Sequence, residues 1–265
     1  MLFFKRLLDF YINSSIHVGL ALFSLTYVTT FSNDLCRHIT YPCCVFFGTI
    51  IGYNFLKYFE VFQKGNFSLK KHLWILVVTL LAIFGYLFFI IRMVDSIKIQ
   101  MVIATGMVLV YPFLRKFGVV KMFWVSFVIA YLTAFVFINA LPGFEGIIGL
   151  EFFKRFLFVS ALMIPFEIYD SQHDDTTLNT LPQKFGIANA KKAGYLLVLL
   201  YVVLEVVNFN FNENVKSQYL VIAIVIAIVI AIAIKFSTLE RSQYYTSFWV
   251  ESIPILWWVL LVLFQ

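Results

Sequence analysis

Charge is scarce in this chain. Asp, Glu, Lys and Arg together make up 13% of its 265 residues, about half the share of an ordinary soluble domain. Apolar residues fill the gap, with 62% hydrophobic and 19% aromatic and a mean hydropathy of +0.92. Such a composition excludes a disordered chain, a fibrous repeat and an ordinary soluble enzyme. The apolar residues run from end to end, which also excludes a soluble domain on one anchor. Cysteine is nearly absent. Cys36, Cys43 and Cys44 are an odd number, so no complete disulfide framework exists, and buried free thiols are expected. The four histidines, His17, His38, His72 and His173, are scattered and form no zinc-ligand spacing. The opening MLFFKRLLDFYINSS has neither the long apolar core nor the small-residue cleavage site of a signal peptide. It reads as a short amphipathic entry to a first span. No internal repeat and no low-complexity linker divides the chain, so 1–265 is expected to be a single transmembrane domain.

What is present is a series of apolar runs. A helix needs about 20 apolar residues to cross the hydrocarbon core. Breaks at charges, Gly, Pro and Asn clusters leave nine candidates: 12–32, 41–62, 73–93, 98–114, 119–141, 152–169, 193–209, 217–235 and 247–264. The expected fold is all-α, a polytopic bundle of nine transmembrane helices around a central cavity opening near the inner face. The fourth run is short, and an eight-span arrangement that demotes it is the competitor. Placing the N-terminus inside puts 14 of the Lys and Arg residues on the inner side. It leaves Arg37, Arg92, Lys98, Lys154, Arg155 and Lys216, six in all, on the outer side. The positive-inside bias therefore predicts a cytoplasmic N-terminus and an outer C-terminus in an inner or plasma membrane. The net charge of +6 fits loops facing an anionic leaflet; no basic patch interleaved with aromatics points to nucleic acid.

With only 14 acidic residues in the chain, their placement is informative. Four of them, Glu167, Asp170, Asp174 and Asp175, fall in FEIYDSQHDD. In a helix Glu167, Asp170 and Asp174 share a face at the inner end of the sixth span. Like charges packed in this way call for a bridging cation, and carboxylates with room for water and phosphate suit Mg²⁺. Solvated chance acidity is the alternative. The loop TTLNTLPQKFGIANAKK follows, with Lys184, Lys191 and Lys192 near the acidic face. These lysines could hold phosphate or serve as inner-face anchors; for Lys191 and Lys192 the anchor reading is favoured. A second cluster, YPFLRK, closes the fourth span with Tyr111 and Arg115 one turn apart. The planar guanidinium matches phosphate oxygens, although snorkelling to the surface explains it equally well. A third cluster, GYNFLKYFE, sets Asn54, Lys57, Tyr58 and Glu60 into an apolar helix. Glu205 is the mid-span charge that stands out. Together the three inner helix ends imply an amphiphilic ligand with a diphosphate head and a long apolar tail.

These motifs, in this order, resemble the UbiA superfamily of intramembrane prenyltransferases. E-I-Y-D-S-Q-H-D followed by T-L-P-Q-K-F-G, residues 167–186, resembles the family's second aspartate-rich motif and its trailing loop. Asp170 and Asp174 match the two principal aspartates, and Glu167 stands where an earlier aspartate is common. Tyr111 and Arg115 resemble the family's tyrosine and basic residue. The resemblance implies Mg²⁺ held by Asp170, Asp174 and Glu167, with Asp170, Asp174 and Tyr111 in catalysis. It implies a diphosphate bound by Asn54, Lys57, Arg115 and Lys184, and prenyl transfer to an aromatic or other lipid-soluble acceptor. The departure is in the first motif: Asn54 matches, but Phe55, Tyr58 and Phe62 stand where aspartates are usual. Lys57 is expected to replace a metal's charge there. Two other readings stand beside it: a non-catalytic homologue that binds a prenyl lipid or serves as a membrane subunit, and a small-solute transporter, which a lone mid-span charge supports poorly.

Overall fold

The computed structural model describes residues 2–32, 39–63, 69–140, 143, 145–172, 178–212 and 215–264, and among these the regular structure is entirely helical. An amphipathic helix α1 (Leu2–Asn13) leads into α2 (Ile16–Ser32), α3 (Thr40–Gln63) and α4 (Leu69–Ile90). Next come α5 (Asp95–Leu114), α6 (Gly118–Asn139) and α7 (Glu145–Asp170). A short α8 (Leu181–Phe185) precedes α9 (Ile187–Phe211), α10 (Ser217–Phe236) and α11 (Tyr245–Leu263).

Among the described residues, a long helix lies on each of the nine predicted segments, but these helices do not all qualify as spans. Six of the described helices, α4, α5, α6, α9, α10 and α11, are long and apolar enough to cross a membrane. The pair Phe4–Asn13 and Ile16–Phe31, bent by 60°, makes a seventh if it is one span. The remaining two carry the polar chemistry: α3 includes Tyr53, Asn54 and Lys57, and α7 carries Glu151, Lys154, Arg155, Glu167 and Asp170. The fourth predicted run is a 20-residue helix, α5, so it is not a loop.

Neighbouring contacts close a ring in nearly chain order: α2, α3, α5, α6, α7, α9, α10 and α11, with α4 packed against α3. The pattern of α10 explains one wall. Its four-residue rhythm places Ile222, Ile226, Ile230 and Ile234 inward with the small Ala223 and Ala227, while Val221, Val225, Ile228 and Ile232 face outward. Outward Leu80, Leu81, Phe84 and Phe88 on α4 are exposed in the same way, as lipid-facing residues must be because lipid replaces water as their solvent.

Two π-turns interrupt the helices, at Tyr131–Phe135 in α6 and at Tyr245–Val250 in α11. A π-turn disturbs the regular backbone pairing, and in each case side chains of other helices bond the carbonyls. Thr29 of α2 donates to the Thr133 carbonyl at 2.7 Å, and Tyr41 of α3 donates to that of Leu132. At the second turn, His17 Nε2 lies 3.0 Å from the Phe248 carbonyl and Nδ1 lies 3.0 Å from the Tyr11 hydroxyl. A carbonyl can only accept, so the proton sits on Nε2, and Nδ1 accepts from Tyr11.

The half of the bundle away from Asp170 holds a charged cluster. Lys154 and Arg155 are 3% and 4% exposed; they are core residues and not the outer-surface charges expected. Lys154 bonds Glu151 at 2.6 Å and Glu205 at 2.9 Å. Arg155 donates to Thr29 at 3.0 Å and stacks 5.1 Å from the Trp257 ring. Glu205 is thus one of four buried charges in a neutral cluster and not a lone mid-span charge.

Candidate functional site

Inside the ring lies a cavity of about 670 Å³, lined by α2, α3, α4, α5, α6, α7 and α11. Its wall is mostly aliphatic and aromatic, with Leu22, Ile83, Trp124, Leu162 and Phe166 among the lining residues. The polar lining includes Tyr53 and Lys57 of α3, Tyr111 of α5, Arg115 just past its end, and Glu251 of α11. Such a volume suits a small ligand with a long apolar part.

Helix geometry gathers the polar head. Tyr111 and Arg115 are one turn apart, and the Arg115 N–H donates to the Tyr111 carbonyl at 2.8 Å, so both side chains leave the same end of α5. Tyr111 interacts electrostatically with Arg115, with Lys121 at the start of α6, and with Glu167 and Asp170 at the end of α7. The second-motif carboxylates and the YPFLRK cluster, more than 50 residues apart in sequence, therefore converge. Glu167 is buried and pairs with Lys121 at 3.5 Å. Asp170 is half-buried at the last turn of α7. Asp174 lies outside the described residues.

The loop behind Asp170 is held by specific bonds. The Thr180 N–H donates to Gln183 Oε1 at 3.0 Å, which caps α8. The Gln183 amide reaches back to the Ser171 carbonyl at 3.4 Å, and Gln172 donates to the Leu239 carbonyl at 2.8 Å. A Cβ on Gly118 would meet the Leu178 and Asn179 carbonyl oxygens at 2.2 Å, so only glycine lets α6 start against this loop. Gly186, at φ +80°, turns the chain from α8 into α9.

Two expected phosphate ligands are placed elsewhere. Asn54 is 3% exposed and absent from the cavity wall. It accepts from Ser15 Oγ at 2.8 Å and donates to the Ser14 carbonyl at 3.2 Å and Thr79 Oγ1 at 2.9 Å. Its amide clamps the break between α1 and α2, where Ser15 takes a positive φ of 61°. Lys184 is exposed on α8, its ammonium 5.3 Å from the Phe185 ring, and is not part of the cavity wall. Lys57 does line the cavity; it donates to Asn13 Oδ1 at 3.1 Å. Tyr58, in an expected aspartate position, donates to the Asn13 carbonyl at 3.2 Å and packs edge-on against His72.

Sequence reading passed over Lys121 and Glu251. Lys121 was counted only as an inner-face charge. Glu251 follows the second π-turn, and no local motif marks it. Among the described residues, no three His, Cys, Asp or Glu side chains gather closely enough to hold a metal unaided. Mg²⁺ needs less than that, because it is commonly held by one or two carboxylates together with substrate phosphates and water. Asp170, which interacts with Tyr111, offers one such carboxylate; among the described residues α3 brings Tyr53 and Lys57 to the wall and no carboxylate.

No protein-family model matches the sequence, and no curated protein matches it significantly. Solved structures do match its fold. A UbiA homologue from Aeropyrum pernix K1, in its apo form, superposes with a TM-score of 0.70 at 15% identity, covering 93% of this chain and 97% of that one. A UbiA homologue from Archaeoglobus fulgidus, solved bound to GPP and Mg²⁺, gives 0.64 at 15% identity over 96% and 98%. A digeranylgeranylglyceryl phosphate synthase in membranes gives 0.59 at 15% identity over 98% and 96%. The chain has the fold of these helical membrane proteins along nearly its whole length.

Proposed function

We propose that this chain is a divergent member of the UbiA superfamily that transfers a prenyl group from a prenyl diphosphate to a lipid-soluble acceptor within the membrane. One observation carries the reading: an apolar cavity of about 670 Å³ has Lys57, Tyr111, Arg115 and Glu251 in its wall, and Asp170, outside that wall, interacts electrostatically with Tyr111. The cavity's dimensions and polarity match a ligand with a greasy tail and a diphosphate head. The fold shared with a homologue solved with GPP and Mg²⁺ supports the same ligand class. All nine long helices are read as spans, with the N-terminus cytoplasmic, so the head opens towards the inner leaflet.

In this reading Arg115 and Lys57 bind and orient the diphosphate, and Tyr111 donates a hydrogen bond to it. Asp170, with Asp174, would hold Mg²⁺, which when bound would supply positive charge to the diphosphate. Breaking the allylic C–O bond sends its electron pair to the diphosphate, and the acceptor captures the allylic cation. The apolar wall keeps water from capturing it first, and the faces of Trp124 and Phe166 are available to stabilise it. Glu167, committed to Lys121, holds the α6 and α7 ends in register and positions Asp170.

A transfer assay tests this. Purified protein is supplied with prenyl diphosphates of several lengths, Mg²⁺ and a panel of aromatic acceptors. The expected result is an alkylated product that disappears in Asp170→Asn. The acid-free described face of α3 favours a second reading, a binding protein without catalysis, and ligand binding without turnover would support it. A wild-type chain that binds no prenyl diphosphate contradicts both.

A further inference from the structure

The head of the cavity carries few charged groups. Its wall holds the basic side chains of Lys57 and Arg115 and the acid Glu251, while Lys121, Glu167 and Asp170 interact with Tyr111 without being part of that wall. A diphosphate brings several negative charges into this poorly hydrated space. Its burial there is costly unless cations enter with it. The acids that could hold such cations are on different helices. Glu167 and Asp170 stand at the end of α7 and interact with Tyr111. Glu251 lines the cavity from α11 and interacts with Lys57 and Tyr53 of α3, and Tyr53 in turn with Tyr111.

The position of Glu251 is built. The π-turn Tyr245–Val250 ends immediately before it, and His17 and Ser252 fix that turn through the Phe248 carbonyl at 3.0 and 2.6 Å. The added backbone of a π-turn rotates the following residues relative to a regular helix, and such turns recur at functional sites. Here it puts Glu251 on the cavity wall, the one carboxylate among the described residues that line it.

We infer that Glu251 is a second divalent-cation ligand, which would hold an ion against the diphosphate from the α11 side of the cavity. The site takes its other donors from the ligand's phosphate oxygens and water, as Mg²⁺ sites commonly do. Lys57, beside it, binds phosphate. This assignment rests on the prenyl diphosphate reading and adds to it the helix that supplies the second acidic pole.

Counting bound ions tests it without turnover. The full chain in nanodiscs is saturated with a non-hydrolysable geranyl thiolodiphosphate, and Mn²⁺ is titrated by electron paramagnetic resonance. Wild type is expected to bind two Mn²⁺ per ligand and Glu251→Gln one, with the ligand's affinity in Mn²⁺ falling about tenfold or more. With metal chelated, the same variant is expected to bind the ligand no more weakly than wild type, because a repelling charge is gone. Glu251→Asp is expected to keep both ions. A carbodiimide reaction at Glu251 of the wild-type chain, blocked by Mn²⁺ plus ligand and not by ligand alone, gives the same answer if the variants do not fold. Two ions in Glu251→Gln, or labelling that metal does not affect, overturns the assignment and leaves the prenyl diphosphate reading standing. A wild-type chain that does not bind the analogue overturns both.

Discussion

Asn54 stands where the resemblance calls for a phosphate-side amide, yet its three hydrogen bonds go to Ser14, Ser15 and Thr79. Polar side chains in an apolar helix must find partners, and spacing alone does not say whether the partner is protein or ligand. Asn54→Leu strands the Ser15 hydroxyl and the Ser14 carbonyl. It is expected to lower stability by about 1–3 kcal/mol, seen as earlier unfolding in a detergent melt, while geranyl diphosphate still binds. Loss of binding with an unchanged melt would return Asn54 to the ligand. Arg115 is the opposite case. It lines the cavity mouth, and Arg115→Ala is expected to weaken geranyl diphosphate binding by about tenfold or more, the worth of a charge-assisted hydrogen bond, without shifting the melt. Tyr111, Arg115 and Asp170 were legible because each lies in a short motif whose helical spacing sets its direction. Glu251 and Lys121 were not, because their partners come from helices far away in sequence.

Helix irregularity and close packing decide which side chains reach the head. The π-turns at Tyr131–Phe135 and Tyr245–Val250 had no local signature: neither segment contains Pro or Gly, and both depend on donors from α2 and α3 or on His17. In α6, Thr29 relays between Arg155 and the Thr133 carbonyl. Thr29→Val removes both bonds at constant shape and is expected to cost about 1–3 kcal/mol, measurable by denaturant unfolding in detergent. The start of α6 is equally constrained. Gly118→Ala places a methyl group on the carbonyls of Leu178 and Asn179, so the loop behind Asp170 must move. Prenyl transfer is expected to fall severalfold or more, and amide exchange in 178–185 to speed up relative to α10. Unchanged exchange in that segment would argue against a rigid contact.

Across the whole bundle, composition and periodicity located the helices well, since long apolar runs admit little else in lipid. The number of spans was less legible, because α3 and α7 trade apolarity for chemistry and fall below the apolar standard that six other helices meet. The buried cluster of Glu151, Lys154, Arg155 and Glu205 was invisible for a related reason. Lys and Arg near a helix end read as surface anchors until packing shows them 3–4% exposed. Lys154→Met would leave two carboxylates facing each other in the core, at an expected cost of about 3–5 kcal/mol; a neutral outcome in a detergent melt would mean that one of them is already protonated. This cluster locks α2, α7, α9 and α11 together in the half of the bundle away from the head, which leaves the cavity clear of it. The central claim is that this cavity holds a prenyl diphosphate with its head at Lys57, Arg115 and Asp170. Calorimetric titration of the purified chain with geranyl diphosphate, with and without Mg²⁺, tests it most directly. Saturable binding strengthened by Mg²⁺, and lost to that enhancement in Asp170→Asn, is the predicted result; no binding, or binding equal to that of geraniol and indifferent to Mg²⁺, would contradict it.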